Sequence, residues 1–325
     1  MTAFIIRRLL QSVLVLGVMS LLVFAGVYAI GNPVDILISP QADQADVARA
    51  IAALGLDQPL WKQYFVFLRQ ALSGDLGKSF VYNIPAIQLI LERMPATLEL
   101  ALAATGTAVL LGIPLGLWAG LKPDSWAGRL IMSGSILGFS LPTFWVGLLL
   151  IMLFAVELGW LPSGGRGPTT LLLGVPVSFL SWEGIRHLIL PAANLALFKL
   201  ALIIRLTRAG TREALQQDYV KFARAKGLSE ARVVGVHVLK NIMIPIVTVI
   251  GLEFGSVIAF AIVTESIFSW PGMGKLIIDS IGVLDRPVIV AYLMVIVSLV
   301  ILINLAVDIA YSLLDPRVRV GAAAA

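Results

Sequence analysis

Lys221, Arg224, Lys226, Arg232 and Lys240 crowd into the stretch YVKFARAKGLSEARVVGVHVLKNIMIP (219–245) against one acid, Glu230. Basic side chains of this kind suit the acidic rim of a partner. A second set of polar residues stands inside apolar runs: Glu99, Asn194, Lys199, Glu253, Glu265, Asn304 and Asp308. Ionisable groups in such runs are costly in lipid and must face protein or water.

Two stretches imitate enzyme motifs. SGDLGKS (73–79) looks like a phosphate loop, but the rule needs a glycine five positions before Gly77, where Leu72 stands. GSILGFS supplies Ser135 and Ser140, yet no histidine falls in an expected span to serve as base. The chain has no cysteine, which excludes disulfides, thiolate metal sites and thiol nucleophiles. His187 and His237 are expected in separate loops, and neither has a metal-ligand partner at helical spacing. No catalytic, cofactor or metal site is expected in the chain itself.

Hydropathy sets the elements that must hold these residues. The chain of 325 residues is 59% hydrophobic and only 13% charged, against about 25% for soluble domains. Its mean hydropathy is +0.95. Six spans are expected at about 9–30, 98–121, 131–158, 188–207, 244–265 and 288–314, each long enough to cross a bilayer. The opening MTAFIIRRLL resembles the start of a signal peptide, but the run from Leu9 to Ile30 is too long and lacks a cleavage site. It reads as an uncleaved first span. Pro191, Asn194 and Lys199 require the fourth span to face protein or water.

The net charge of +5 needs no nucleic acid, because the basic residues lie mainly between apolar runs. Arg7, Arg8, Lys122, Arg129, the basic residues from Lys199 to Lys240, and Arg317 and Arg319 fall on one side. That side should be cytoplasmic, with both termini inside. The longer segments on the other side carry Asp35, Asp43, Asp46, Asp57, Asp75 and Glu92. Within 31–97, Leu60, Tyr64, Phe67, Leu68, Ala71 and Leu72 recur at helical spacing, with breaks at Gly55, Pro59 and Gly74. A small helical external subdomain is expected there. The organisation is then 1–97 (first span and external segment), 98–315 (membrane domain, with a cytoplasmic loop at about 207–243) and 316–325 (tail). Gly112, Gly116 and Gly120, and likewise Gly251 and Gly255, repeat every four residues, the spacing that lets helices pack closely in lipid.

The basic stretch reads as two short helices joined at a glycine. TREALQQDYVKFARAKG places Leu215, Tyr219 and Phe222 on one face, with Arg224 and Lys226 in its last turn and Gly227 at the left-handed stop. Ser229 can cap the second helix, with Glu230 in its first turn, running to about Asn241 before Pro245 opens the fifth span. Such an elbow, Ala223, Arg224, Ala225, Lys226, Gly227, Leu228, Ser229 and Glu230, suits a partner's cleft; the residues alone equally suit an ordinary positive-inside loop.

This stretch resembles the cytoplasmic coupling (EAA) loop of permease subunits in binding-protein-dependent ABC importers, and most closely the dipeptide/oligopeptide/nickel branch. LGLDQPLWKQY, GDLGKSF, ERMPATLELALAA, FSLPTFWVGLLLI, LGWLPSGG, TESIFSWPGMGKL and LLDPRVR agree with that branch in order and spacing over the whole chain. The loop departs from the general pattern at Lys221 and Phe222, and Lys240 follows Gly227 by thirteen positions where a proline is common.

The resemblance implies an all-α integral membrane protein of the type I importer (MetI-like) fold in the bacterial inner membrane. It implies a second, homologous permease as heterodimer partner, two cytoplasmic ATPases that bind the ATP and magnesium, and an external substrate-binding protein. Di- or oligopeptides are the expected substrate, with glutathione, nickel chelates and oligosaccharides as other cargoes of the branch. Glu253 either lines the pathway or makes an interhelical hydrogen bond. Glu265 has a structural or gate role, Phe139, Pro142 and Trp145 are gate or packing residues, and Asn304 is a further pathway residue. The runner-up is a stand-alone secondary transporter or channel, against which the lack of two similar halves counts.

Overall fold

The computed structural model describes residues 2–29 and 57–314. Segment 31–56, the tail 316–325 and the motif LLDPRVR beyond Leu314 lie outside the described residues. The helices are α1 (Thr2–Ala29), α2 (Leu60–Leu72), α3 (Ala86–Leu121), α4 (Trp126–Ser140), α5 (Thr143–Leu150), α6 (Trp182–Gln216), α7 (Asp218–Ala225), α8 (Leu239–Ile267), α9 (Met273–Gly282) and α10 (Arg286–Leu314). A π-helical stretch, Ile151–Glu157, extends α5. A helical turn at Glu230–Arg232 and a π-helical stretch at Val233–Val238 run straight into α8.

Among the described residues, five helices are long and apolar enough to cross a membrane: Ile6–Gly26, Ala86–Leu121, Trp182–Gln216, Glu230–Ile267 and Arg286–Ile309. Where the third span is expected, two helices, Trp126–Ser140 and Thr143–Glu157, meet at a bend of 109°. Pro142 accounts for the break. Its ring disfavours helical backbone at the residue before it, and Leu141 is extended at φ −85, ψ 136. Pro95, Pro114, Pro191 and Pro245 remain inside helices, as membrane helices tolerate when neighbours satisfy the freed carbonyls.

The chain forms two compact units, Met1–Glu92 with Ile277–Ile301, and Arg93–Leu276 with Leu302–Ala325. In the first, α2 leans on α1: Tyr64 Oη and Ser20 Oγ are 2.8 Å apart, and the Phe24 ring meets Tyr64 at 5.4 Å and Phe67 at 5.8 Å. Leu60 and Leu72, expected on that face, are 62% and 82% exposed. The SGDLGKS segment is tied down by Asp285, which accepts from Ser79 Oγ at 2.5 Å and Phe80 N at 3.1 Å.

In the second unit the glycine spacing does what it predicts. A Cβ on Gly112, Gly116 or Gly120 would stand 2.8 Å from Ile203 Cγ2, 2.6 Å from the Ile204 carbonyl and 2.7 Å from Thr211 Cβ. Helices α3 and α6 therefore touch backbone to side chain along this stripe. Gly251 on α8 lies against Val307 on α10 in the same way. α6 starts at Ser181, whose hydroxyl accepts from Gly184 N at 3.0 Å. One small hairpin interrupts the helices, with Thr170 paired to Val177 and Leu172 to Val175. Leu173 (φ 51) and Gly174 (φ 82) make its turn, the positive-φ pair that a two-residue hairpin loop requires. His187 and His237 both sit in helical segments, not in loops.

Candidate functional site

The elbow is built around Gly227. Helix α6 stops where Gln217 turns extended (φ −73, ψ 148), and α7 begins a fresh register. Gly227, at φ +77, closes α7 with two bonds, Gly227 N to Arg224 O at 2.9 Å and Leu228 N to Ala223 O at 3.3 Å. That pair is the Schellman stop, with glycine at the left-handed position. Ser229 begins the next helix in extended conformation, but its hydroxyl makes no capping bond. The cap expected from sequence is thus made by backbone alone, with Arg232 N and Val233 N donating to the Ser229 carbonyl at 2.9 Å.

Val220, Ala223, Val233, Val238, Ile242, Ile246 and Ala214 form one buried apolar cluster under the elbow. This corrects the expected face. Tyr219 and Phe222 are 40% and 60% exposed, and Leu215 is only partly buried, because the break at Gln217 resets the helical register. Ala223 is buried at 4% and belongs to the apolar support, not to the exposed surface of the elbow. Arg224, Ala225, Lys226, Gly227, Ser229 and Glu230 remain exposed, and Leu228 is half-buried. Nor does the second helix end near Asn241: a single helix runs Glu230–Ile267 through Pro245.

Charges within the elbow are largely matched. Arg224 donates to Glu230 through Nε (2.8 Å) and Nη2 (3.1 Å). Lys221 donates to Asp218 at 2.9 Å, and that bond holds the Asp218 carboxyl below its ordinary value. Lys226 Nζ lies 4.6 Å over the Phe222 ring.

The polar residues of the spans fall into three settings. Glu265 is wholly buried; it accepts from Thr97 Oγ1 at 2.7 Å and Lys275 N at 2.9 Å. The SWPG turn folds over it, Trp270 Nε1 donates to the Ala96 carbonyl at 2.9 Å, and Met273 N donates to Thr97 Oγ1 at 2.8 Å. A side chain so enclosed ties α8 to α3 and to the first turn of α9. Glu99 is enclosed likewise, taking Arg166 Nη2 at 2.5 Å, Ser178 N and Oγ at 2.7 Å and Phe179 N at 3.0 Å.

Glu253 differs. It pairs with Lys199 across α6 and α8, and Lys199 Nζ also reaches Ser256 Oγ at 2.9 Å. The interhelical bond expected of Glu253 is therefore present, while 37% of its side chain stays exposed. Asn194 donates to Thr264 Oγ1 at 3.0 Å. Asn304 has a buried Oδ1 with no hydrogen-bond partner among the described residues. Phe139 stacks on Phe198 at 4.6 Å and is 42% exposed. Trp145 lines a cavity of about 540 Å³ at the crook between α4 and α5, with Leu197 and Ile204 opposite, and Pro142 makes the crook.

Ser135 and Ser140 donate to the carbonyls of Met132 and Ile136, so neither is poised as a nucleophile. Among the described residues no cluster of metal-ligating side chains occurs. Sequence reasoning missed Arg166 and the Arg224–Glu230 pair. The second was within reach, since the two residues flank the glycine stop.

Comparison with known proteins bears on this geometry. Residues 112–320 match the family described as binding-protein-dependent transport system inner membrane component, and residues 1–101 match its N-terminal counterpart. The chain is 43% identical to the di/tripeptide transport system permease protein DppB of Pseudomonas aeruginosa, covering 98% of this chain and 99% of that one. It is 39% identical to the oligopeptide transport system permease protein AppB of Bacillus subtilis, over 98% and 100%. A solved structure of the MetNI methionine ABC transporter shares the fold at TM-score 0.55 and 16% identity, over 70% of this chain and 97% of that one.

Proposed function

This chain belongs to the family of binding-protein-dependent transport system inner membrane components, the membrane permeases of ABC importers, and on that premise we propose how it works and what it carries. It forms half of a pathway for short peptides, paired with a second, homologous permease. Two cytoplasmic ATPases, which hold the ATP and magnesium, grip the elbow at Arg224–Glu230, and an external binding protein delivers the peptide. The near-full-length likeness to di/tripeptide and oligopeptide permeases supports the substrate class. The basic residues gathered between spans support cytoplasmic termini and a cytoplasmic elbow.

One observation carries the coupling reading. The far side of the elbow is continuous with the membrane-crossing helix Glu230–Ile267, so there is no loop between the docking surface and Glu253. A push on the elbow moves that helix as a lever, and rigid-body rocking of such elements is how packed bundles switch. Purification from native membranes tests the assembly. This chain should bring with it one other permease and ATPase subunits, and dipeptide uptake into proteoliposomes should need ATP and the binding protein. Uptake by this chain alone would instead support a secondary carrier.

A further inference from the structure

Within the membrane domain, three charged and two aromatic side chains form a continuous strip. Lys199 stands at the midpoint of the 35-residue helix α6, so at about 1.5 Å per residue it lies roughly 26 Å from either end. The hydrocarbon core is about 30 Å thick, and the expected span 188–207 places Lys199 within it and Arg205 toward its cytoplasmic end. Lys199 pairs with Glu253 and lies 5.4 Å over Phe198. Phe198 stacks on Phe139 at 4.6 Å, and Arg205 lies over Phe139 at 4.4 Å. Glu253, Phe198 and Phe139 all keep more than a third of their surface exposed.

Arg205 is the unbalanced member. Its Nε makes a long bond of 3.3 Å to the Ala201 carbonyl, and among the described residues no carboxylate pairs with it. A permanent cation within a span needs an anion or water, and Glu265 and Glu99 are already committed elsewhere. Arg205 follows Lys199 by six residues on one helix, about 9 Å of rise. An extended peptide of two or three residues spans roughly 7–10 Å.

We propose that this strip is a transit site for zwitterionic di- and tripeptides, in which Glu253 takes the terminal ammonium from Lys199, Arg205 takes the terminal carboxylate, and Phe139 and Phe198 flank the side chains. The proposal rests on the peptide reading above and adds where, and by which groups, the peptide is held. It also accounts for the retained Lys199–Glu253 pair. With no peptide present, each ion of the pair neutralises the other, and neither is left bare within the span.

The chain is free of cysteine, so Leu202→Cys, on the strip's face between Phe198 and Arg205, gives a single reporter on it. In the assembled complex with its second permease and ATPases, L-alanyl-L-phenylalanine should slow N-ethylmaleimide labelling at that position at least fivefold. Its C-terminal amide should not, and Arg205→Gln should abolish the protection while Arg205→Lys keeps part of it. A second readout leaves the strip unmodified by cysteine. With saturating binding protein, the uptake ratio of the free dipeptide to its amide should fall roughly 10- to 100-fold from wild type to Arg205→Gln, the range for one charged hydrogen bond. Binding-protein preference cancels in that comparison. Uptake of the dipeptide without protection, or with an unchanged ratio in an assembled Arg205→Gln complex, overturns the site alone. A complex that moves no dipeptide at all overturns the peptide reading and the site with it.

Discussion

Arg224 clasps Glu230 across the Gly227 turn with two hydrogen bonds, at 2.8 and 3.1 Å, joining the end of one helix to the start of the next. Both side chains are substantially exposed, at 42% and 66%. An exposed pair of this kind is screened by solvent and contributes little to stability. The pair thus fixes the shape of the elbow more than it holds the protein together. Arg224→Gln or Glu230→Gln should leave membrane levels unchanged and reduce ATPase co-purification several-fold. The reversed pair, Arg224→Glu with Glu230→Arg, should restore most of it, as judged by the ATPase-to-permease ratio after affinity purification. No recovery in the reversed pair would mean that the ATPase reads the Arg224 charge itself.

Gly227 should tolerate substitution by backbone rule and not by size. A Cβ there meets nothing within 4 Å, but φ is +77. A β-branched residue in left-handed backbone costs on the order of 1–2 kcal/mol or more, whereas Asn adopts it readily. Gly227→Asn should support near-normal uptake, Gly227→Ala less, and Gly227→Val little or none, at similar membrane abundance. Equal uptake by the three would show that the turn has no coupling role.

The glycine stripe on α3 should behave in the opposite way, by size. At Gly116 a Cβ would sit 2.6 Å from both the Ile204 carbonyl and Thr207 Cβ, while at Gly106 it meets nothing within 4 Å. Backbone cannot step aside as a flexible side chain can, so Gly116→Ala should cost about 1–3 kcal/mol. Its melting temperature in detergent should fall clearly, and that of Gly106→Ala should stay within error of wild type.

Glu265 and Thr97 should act as one unit. The carboxylate takes Thr97 Oγ1 at 2.7 Å, and Thr97 Oγ1 in turn takes Met273 N. Leaving such buried groups unmatched costs about 1–3 kcal/mol each. Glu265→Gln and Thr97→Val should each destabilise, and the double variant should lose less than the two combined, because the second change removes a partner already lost. Additive losses in thermal unfolding would separate the two residues.

Much of this architecture was legible because it is local. The six apolar runs, the four-residue glycine spacing and the Gly227 stop each declare themselves within a few turns of chain. The bend between α4 and α5 was signalled by Pro142 in FSLPTFW, but a proline inside a membrane helix is often absorbed, as Pro245 is here. Two things were hidden. The inward turn of Ala223 depends on the register reset at Gln217, which no periodicity across 211–227 reveals. The pairings Lys199–Glu253 and Glu99–Arg166 join residues 54 and 67 positions apart, so only the packed helices choose the partners.

The coupling claim meets its most direct test at Ala225, exposed on the last turn of α7. Ala225→Cys, in a chain with no other cysteine, can be labelled with a short maleimide that carries a photoactivatable group and then irradiated in membranes that contain the whole transporter. The ATPase subunit should cross-link to this chain, with a yield that changes when ATP is bound and held unhydrolysed. The Gly227→Val background should abolish the product. A transport-competent Ala225→Cys complex that yields no ATPase cross-link in any nucleotide state would contradict the assignment of the elbow as the place where the motor grips the membrane domain.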